Sequence, residues 1–523
     1  MRVTLIRYHD LGNINTRLPA SLNKRQGALP PLGLAYVAAA LREAGHEVAM
    51  IDAIAENVTR EEVKRRILDF KTDLVGVTAM TPTFRGAQEA ARIGKECGCQ
   101  TVIGGVHMAL FARETLSYDY IDFGVIGEGE EPIVALCKAL ESGESYEGLP
   151  GLAYKTKDGE VVVGPSVLVQ DLDTLPFPAF DLLPMDRYSS IIGLNPVTTM
   201  MGSRGCPYLC GFCYKTPSDR KYRRRSAKNI VDEIVHVKEN YGVREVMFYD
   251  DLMPPNYIEE LCNEILSRGV KIAWEVPQRV NLVNPELLAL MRKAGCRMLR
   301  YGVEQGDEDM MQIVEKRISK DQVKKVFKWT HDAGIHTFAY FIVGYVGETP
   351  ATMRATIDLA KELDPRYVMF TKATPLPDTP LFEDAVKAGL IERDYWRKFV
   401  LGQRSEPIKP CVDNAKEWVE RAYREFYFRP WRMVKQVFYI RSWADFKKSF
   451  DAFLGLLFFK MSDDEILQKI STSVDEKEKK AESVAAWENQ ADGEGPVELA
   501  PLVEETHTEH PVGADIEEPD WVT

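Results

Sequence analysis

The sequence predicts an α/β protein with two consecutive units of alternating strands and helices, followed by a C-terminal helical region. Short apolar strands alternate with helix-length segments in two separate parts of the chain. At 523 residues, the chain is too long for a single ordinary core. Its end is polar and acidic, as in disordered tails. We therefore expect five segments: residues 1–145, a doubly wound Rossmann-like domain; 146–195, a linker; 196–400, a partial (β/α)6 barrel; 401–470, C-terminal helices rich in aromatic and basic residues; and 471–523, a disordered acidic tail.

The first unit has the pattern of a doubly wound parallel sheet. A helix is expected over residues 31–45, where glycine ends it, and another over 61–70. Ligands of such sheets bind at the carboxyl ends of the strands. Glycines follow two of these strand ends, at Gly104-Gly105 and at Gly127 and Gly129. Neither site matches the G-x-G-x-x-G fingerprint, so a dinucleotide is a disfavoured ligand. The predicted strands are residues 3–6, 46–52, 73–79, 101–105 and 122–130.

The linker and the second unit follow. A hairpin is expected over residues 151–163, with Asp158 and Gly159 at its turn. Prolines in residues 175–180 exclude a regular helix there. Six strand–helix units then predict a partial barrel, whose active site would lie at the carboxyl ends of its strands. The predicted barrel strands are residues 197–202, 245–249, 271–276, 298–302, 336–343 and 367–373.

A cysteine loop directly follows the first strand of the predicted barrel. Cys206, Cys210 and Cys213 have C-x3-C-x2-C spacing, which can turn three thiolates toward one point. Iron–sulfur clusters usually have four cysteine ligands, so a four-iron cluster on this loop would keep one iron open for chemistry. The alternative is a structural zinc loop, but the sequence shows no second ligand pair of the usual kind.

Composition excludes several classes of protein. The net charge of -13 argues against a general nucleic-acid binder. Nine scattered cysteines with one close trio do not form the framework of a secreted disulfide protein. The chain has no run of eighteen apolar residues and does not open on a signal peptide. We therefore expect a cytoplasmic protein, since an oxygen-labile cluster needs a reducing compartment.

The cysteine spacing, with Phe212 before the last cysteine, resembles the signature of the radical S-adenosylmethionine (radical SAM) enzymes. Further motifs at strand ends support this resemblance, with Asp378 as one departure where many relatives have glycine. The resemblance implies a 4Fe–4S cluster on the three cysteines and reductive cleavage of SAM. It also implies a SAM site, in which Lys316, Arg300 and Arg279 are alternative partners of the SAM carboxylate. The other residues of this site are Phe212 and Tyr249, Asp250 or Asp251 for the amino group, Glu304 for the ribose, and Gly344 near adenine.

Ordinary structural roles are the alternatives for these residues. A carboxylate at a strand end, such as Asp250 or Asp251, is commonly a helix cap. Gly344 can equally serve a turn.

A Rossmann-like domain before this barrel resembles the cobalamin-dependent class of radical SAM enzymes. Some relatives of that class keep the domain without binding cobalamin. The chain lacks the D-x-H-x-x-G motif that supplies a histidine ligand to cobalt. His107 could be such a ligand, or a loop histidine with an ordinary hydrogen bond. The residues that the resemblance assigns to cobalamin are Leu32, Thr78, Gly104, Gly105, His107, Gly127, Glu128 and Gly129.

Residues 423–459 mix aromatic side chains with lysine and arginine. This composition is typical of a helix that lies at a membrane interface, here the inner membrane face, or that contacts a hydrophobic substrate. The alternative is that the aromatic residues belong to the core and cover the barrel mouth.

The leading function is therefore cobalamin-dependent methylation of an unactivated carbon on a hydrophobic small molecule. An electron donor such as flavodoxin or ferredoxin would be a partner. The alternatives are cyclisation, carbon–carbon coupling or oxidation of a lipid, isoprenoid or tetrapyrrole, as in the anaerobic porphyrin-ring cyclases, and a non-catalytic cluster-bearing sensor. The sequence names neither the substrate nor a catalytic residue.

Overall fold

The computed structural model describes residues 1–9, 28–216, 218–404 and 408–432. All of these lie in one compact unit, Met1–Ser462. None of the helices in these ranges combines the length and the apolar character needed to cross a bilayer.

The first sheet has seven strands, of which the first five in chain order are parallel. The second strand lies at one edge beside the first, and the third to seventh strands follow in chain order. Apolar side chains of its helices form a core on each face, so the predicted doubly wound fold is confirmed. The strands are β1 (Arg2–Arg7), β2 (Glu47–Asp52), β3 (Leu74–Thr78), β4 (Gln100–Gly104), β5 (Phe123–Val125), β6 (Leu152–Lys155) and β7 (Val161–Val163). The helices are α1 (Leu32–Glu43), α2 (Ala53–Glu56), α3 (Arg60–Asp69), α4 (Phe84–Glu96), α5 (Val106–Leu116) and α6 (Glu130–Ser142).

The hairpin predicted inside the linker belongs to this first sheet. Strand β6 pairs antiparallel with β5, and β7 pairs antiparallel with β6. The sheet thus continues past residue 145, because a hairpin needs only a short turn to add two strands to an existing edge.

The second sheet has six parallel strands that pair in sequence order, so that the first and the last of them form its two edges. Each predicted barrel strand is present, and the partial barrel is confirmed. Its strands are β8 (Val197–Met200), β11 (Glu245–Phe248), β12 (Ala273–Gln278), β13 (Cys296–Glu304), β14 (His336–Val343) and β15 (Tyr367–Lys372). A two-stranded ribbon, β9 (Ser203–Arg204) and β10 (Arg223–Arg224), flanks the cysteine loop.

Helices cover the outer face of this sheet. Alternate apolar side chains of β11 to β15, such as Val246 and Phe248 of β11, belong to one large core cluster together with side chains of these helices. The remaining side chains therefore face the inside of the partial barrel, because side chains alternate along a strand. The helices are α7 (Ala227–Tyr241), α8 (Pro255–Ser267), α9 (Pro285–Lys293), α10 (Glu308–Ile313), α11 (Lys320–Asp332), α12 (Pro350–Leu363) and α13 (Pro380–Lys387).

Two more helices follow the barrel. The helix α14 (Tyr395–Val400) packs its aromatic side chains into the core of the first sheet. The helix α15 (Ala415–Tyr427) packs on β15, where the Tyr423 hydroxyl accepts a hydrogen bond from the Phe370 N–H at 3.2 Å. Tyr423 and Phe426 are buried. These aromatic side chains of α15 thus belong to the core, whereas Trp431, just beyond the helix, is 67% exposed. Residues 433–459 of the predicted interfacial segment lie outside the described residues.

Candidate active site

The cysteine loop lies between β9 and β10, at the carboxyl end of β8. Gly205 begins it with φ +90°, and a Cβ there would lie 2.4 Å from the Lys221 carbonyl oxygen. The Cys206 N–H donates to the Asp219 carbonyl at 2.9 Å, and the Cys213 N–H to the Cys210 carbonyl at 3.0 Å. Glycine and these backbone bonds therefore set the path of the loop.

The thiols of the loop fit an iron–sulfur cluster by their chemistry. Cys206, Cys210 and Cys213 are all free, and their exposure increases along the loop. Burial raises the pKa of the Cys206 thiol, while the Lys215 ammonium opposes this shift. Among the described residues, no three His, Cys, Asp or Glu side chains converge on one metal ion. The donor set is three soft sulfur ligands beside a cation, which is what iron–sulfur clusters use.

Glu304 and Lys316 form a buried ion pair at the carboxyl end of β13. The Lys316 ammonium lies 5.9 Å from the centre of the Phe212 ring, which belongs to the cysteine loop. A Cβ on Gly302 would come within 2.2 Å of both the Glu304 Oε1 and the Lys316 Nζ atoms. A side chain at position 302 would therefore displace the two charged groups from their present positions. The structure thus brings together three of the residues predicted for SAM.

Arg279 connects this pair with the cysteine loop. Its Nη1 atom lies 3.6 Å from the Cys210 sulfur, and its Nη2 atom donates to the Lys316 carbonyl. Its guanidinium stacks on the Tyr208 ring at 3.7 Å. Of the three cations proposed for the SAM carboxylate, Arg279 is therefore the one that contacts a cysteine sulfur.

The two neighbouring aspartates after β11 differ in their surroundings. Asp250 is buried and accepts hydrogen bonds from the Gly202 N–H at 3.0 Å and the Ser203 hydroxyl at 2.5 Å. Burial raises its pKa to about 7, against the opposing effect of these bonds. Asp251 is half-exposed and pairs with Lys215 at 2.6 Å. Asp250 thus anchors the chain after β8, and its described contacts are all within the protein.

Gly344 follows β14 with φ +83°, and a Cβ there would lie 2.4 Å from the Ala415 Cβ. Its N–H donates to the Glu348 Oε2 atom at 2.5 Å. Burial raises the pKa of Glu348 to about 7. The close approach of α15 thus accounts for glycine at this position, in agreement with the turn alternative.

Exposed apolar side chains mark the carboxyl edge of the first sheet. Ile54, Met80 and Val106 come just after β2, β3 and β4, and are 37%, 52% and 40% exposed. Thr78 is also exposed at this edge. Exposed apolar patches commonly mark binding surfaces, and this one fits a large apolar cofactor. Sequence reasoning missed these residues, although a large apolar residue directly after a strand end was a usable signal.

Two predicted cobalamin residues lie beside this patch. Gly105 has φ +95°, and a Cβ there would lie 2.5 Å from the Ala79 carbonyl oxygen. A Cβ on Gly104 would lie 3.7 Å from the Val125 Cβ, which is an ordinary van der Waals contact. Leu32 is half-buried against the barrel core.

Gly127, Glu128 and Gly129, also predicted for cobalamin, have close contacts within the protein. Gly127 has φ +85°, and a Cβ there would meet the Ser166 hydroxyl at 2.3 Å. A Cβ on Gly129 would meet Val37 at 3.2 Å. Glu128 pairs with Arg223 at 2.7 Å and with Arg204 at 3.2 Å. This segment therefore joins the first unit to the ribbon that flanks the cysteine loop.

The two arginines of this junction were not predicted. Arg204 also pairs with Glu130 at 2.6 Å. For Arg204, the one usable sign in the sequence was its position directly before Gly205 and Cys206 of the loop. A cavity of about 220 Å³ lies at this junction. It is lined by Glu128, Met201, Ser203, Arg204, Gly205, Asp219, Arg223, Tyr249 and Asp251.

His107 is enclosed in the core of the first unit. Its Nδ1 atom lies 3.1 Å from the Thr81 hydroxyl, and its Nε2 atom lies 2.9 Å from the Thr115 hydroxyl. Its ring stacks on Phe84 at 4.0 Å, and burial lowers its pKa to about 3. His107 is therefore not among the exposed residues at the carboxyl edge of the first sheet.

We expect no histidine on cobalt when cobalamin is bound. Because both ring nitrogens of His107 have partners, the Co(II) form should lack hyperfine splitting from an axial imidazole nitrogen. Electron paramagnetic resonance of the wild type checks this. His107→Gln should lower the melting temperature, since it removes a buried stacked ring, and leave the spectrum unchanged. An imidazole splitting that disappears in His107→Gln would contradict the expectation.

Two family models match the chain. The model described as B12 binding domain matches residues 20–137, and the model described as Radical SAM superfamily matches residues 200–360. An uncharacterized methyltransferase from Pyrococcus horikoshii is 33% identical, with 78% of this chain and 90% of the relative covered. An anaerobic magnesium-protoporphyrin IX monomethyl ester cyclase from Rubrivivax gelatinosus is 32% identical, with 68% of this chain and 66% of the relative covered.

Solved structures show the same fold. The radical SAM methyltransferase TsrM from Kitasatospora setae, solved with cobalamin and a 4Fe–4S cluster bound, aligns with a TM-score of 0.60 at 20% identity. The alignment covers 75% of this chain and 78% of that chain. The cobalamin-dependent radical enzyme OxsB aligns with a TM-score of 0.59 at 18% identity, over 76% of this chain and 56% of that chain.

Proposed function

Because this chain belongs to the radical SAM enzymes that carry a B12-binding domain, we propose that it methylates a carbon atom of a small molecule. Its cofactors are SAM, a 4Fe–4S cluster and cobalamin. When bound, they supply a reductively generated radical and a methyl group for transfer.

The observation that carries this proposal is the cavity at the junction of the two units. Glu128 reaches it from the first unit, and Tyr249 and Asp251 reach it from strand ends of the second. The exposed edge with Met80 and Val106 supports a cobalamin surface in the first unit. The cysteine loop supports a cluster in the second. Methyl transfer between two cofactors requires such adjoining sites.

The residues of the second unit would hold SAM in distinct ways. Cys206, Cys210 and Cys213 would hold the cluster. The Glu304 carboxylate would accept hydrogen bonds from the ribose hydroxyls, because a carboxylate is an acceptor with two oxygens. Arg279 would bind the SAM carboxylate, since it is the candidate cation beside a cysteine sulfur.

The proposal predicts transfer of a labelled methyl group. Anaerobic enzyme reconstituted with the cluster, given SAM labelled in its methyl group, cobalamin and flavodoxin as electron donor, should label one compound in a small-molecule extract. Mass spectrometry detects that product together with 5'-deoxyadenosine. Omitting cobalamin should abolish the label. Cleavage of SAM without label in any compound would contradict methylation.

The second candidate function is cyclisation, coupling or oxidation without methyl transfer. The relative from Rubrivivax gelatinosus, described as a cyclase, favours it. In the labelling experiment, an enzyme with this second function would give 5'-deoxyadenosine and an unlabelled product. A sensor would give neither. For contact with a membrane, residues 423–432 give divided evidence, since Tyr423 and Phe426 pack in the core whereas Trp431 is 67% exposed.

A further inference from the structure

The inner face of the second sheet contains a buried charged pair directly below the Glu304–Lys316 pair. On β13, Arg300, Gly302 and Glu304 alternate with core residues and so share one face. Glu275 faces the same interior from the neighbouring strand β12. Neither Arg300 nor Glu275 has a role in holding the cluster. Their position suits a group that contacts the substrate.

Arg300 is buried and interacts with the Tyr249 and Tyr340 side chains, but one of its donors lacks a partner among the described residues. It is 7% exposed, and its Nη2 atom donates to the Phe248 carbonyl. Its Nε atom has no hydrogen-bond partner among the described residues. The nearest carboxylate atom, Glu275 Oε1, lies 3.6 Å away and also lacks a partner there. Buried donors without partners cost free energy, so native proteins rarely keep them unless a ligand completes the site.

Glu275 does not neutralise Arg300 fully. The second arginine of this region, Arg297, pairs with Glu245 at 2.6 Å and lies 3.4 Å from Glu275. Burial raises the pKa of Glu275 to about 7, and Arg300 lowers it in part. A fraction of the Glu275 side chain is therefore protonated at neutral pH. Arg300 then carries a positive charge that an incoming anion can balance.

Aromatic side chains of neighbouring elements share the inner side of the sheet with Arg300. The Arg300 guanidinium lies 5.1 Å from the centre of the Tyr249 ring. The rings of Phe338 and Tyr340 on β14 lie 4.7 Å apart, and Phe338 lies 6.3 Å from Tyr367 on β15. Such aromatic rings favour a substrate with a planar or apolar body. The two neighbouring donors of a guanidinium favour a carboxylate, which they can bind in a bidentate manner.

We propose that Arg300 binds a carboxylate of the substrate, so that the substrate is an acid with a planar or apolar body. This rests on the proposed function, because the interior of the barrel below the SAM residues is where that substrate would lie. Arg300 thereby becomes a specificity-determining residue, and the rings of Tyr249, Phe338 and Tyr340 would contact the body of the substrate.

The test is a binding titration without turnover. The full chain, reconstituted anaerobically with cluster, SAM and cobalamin, is titrated calorimetrically with two matched pairs of compounds. These are 1-naphthoate with 1-naphthamide, and octanoate with octanamide. The wild type should bind the acid of at least one pair at least tenfold more tightly than its amide. In Arg300→Gln, the ratio of the affinity for the acid to that for the amide should fall close to one.

Further variants separate charge from folding. Arg300→Lys and Glu275→Gln should keep a preference for the acid, because both leave the cation in place. Arg65→Gln changes an exposed arginine on α3 and should match the wild type. Melting temperatures check that each variant is folded.

Three results would overturn the proposal. The wild type could show no preference in either pair, or Arg300→Gln could retain the preference. Arg300→Gln could also weaken SAM binding by the same factor, which would make Arg300 the partner of the SAM carboxylate. Because the titration needs no methyl transfer, its failure is distinct from failure of the proposed methylation.

Discussion

Replacing Cys206, Cys210 and Cys213 together by alanine is expected to abolish iron binding, the visible absorption of the reconstituted protein and SAM cleavage. The three thiols are the protein donors of the loop, and iron–sulfur clusters need thiolate ligands. Cleavage of SAM requires an electron from the cluster, so no 5'-deoxyadenosine should form. Iron analysis, absorption spectra and product quantification on the same sample measure the three effects.

The fold of the triple variant should survive. The loop follows backbone hydrogen bonds, such as that from the Cys206 N–H to Asp219, which alanine retains. Cys97→Ala is a matched control, because Cys97 is a free, half-buried cysteine of the first unit. It should keep full iron content. A complete cluster in the triple variant, or loss of the cluster in the control, would show that other cysteines hold the iron.

The strands were predictable because each carries its signal locally. Apolar runs of four to eight residues, broken by turns and helices, predict buried parallel strands without long-range information. The cysteine loop was likewise visible, since its three thiols lie within eight residues. The hairpin of residues 151–163 was recognised from its turn, but its membership in the first sheet depends on pairing with β5. Sequence spacing does not reveal that pairing.

Contacts between distant segments account for what sequence reasoning missed. Glu128 was expected at cobalamin because it lies between two glycines after a strand, yet it pairs with arginines far along the chain. Asp250 has the same local pattern whether it binds a ligand or anchors a loop. Its hydrogen bonds from Gly202 and Ser203 account for the anchoring, and its role toward SAM stays a prediction. His107 also follows a glycine pair, but its neighbours Thr81 and Thr115 enclose it.

The other large effect is expected at Glu304 and Lys316. Removing one member of a buried ion pair leaves an uncompensated charge, which costs about 3–5 kcal/mol of stability. Glu304→Ala should therefore unfold more easily than the wild type. It should also weaken SAM binding by about 1–3 kcal/mol, the cost of losing a charged hydrogen-bond acceptor. Both effects can appear in one variant, so that variant alone does not show whether Glu304 contacts SAM.

A double-variant cycle separates the two roles of Glu304. Glu304→Gln, Lys316→Met and the combined variant are compared for SAM affinity and for melting temperature in the same samples. The combined variant has no unpaired charge, so it should recover most of the stability that Lys316→Met or Glu304→Ala loses. If Glu304 binds the ribose, SAM affinity should stay low in the combined variant. Recovery of affinity together with stability would instead mean that the pair only supports the fold. Glu425→Gln breaks the half-buried pair with Arg354 between α12 and α15, and should lower stability without changing SAM affinity.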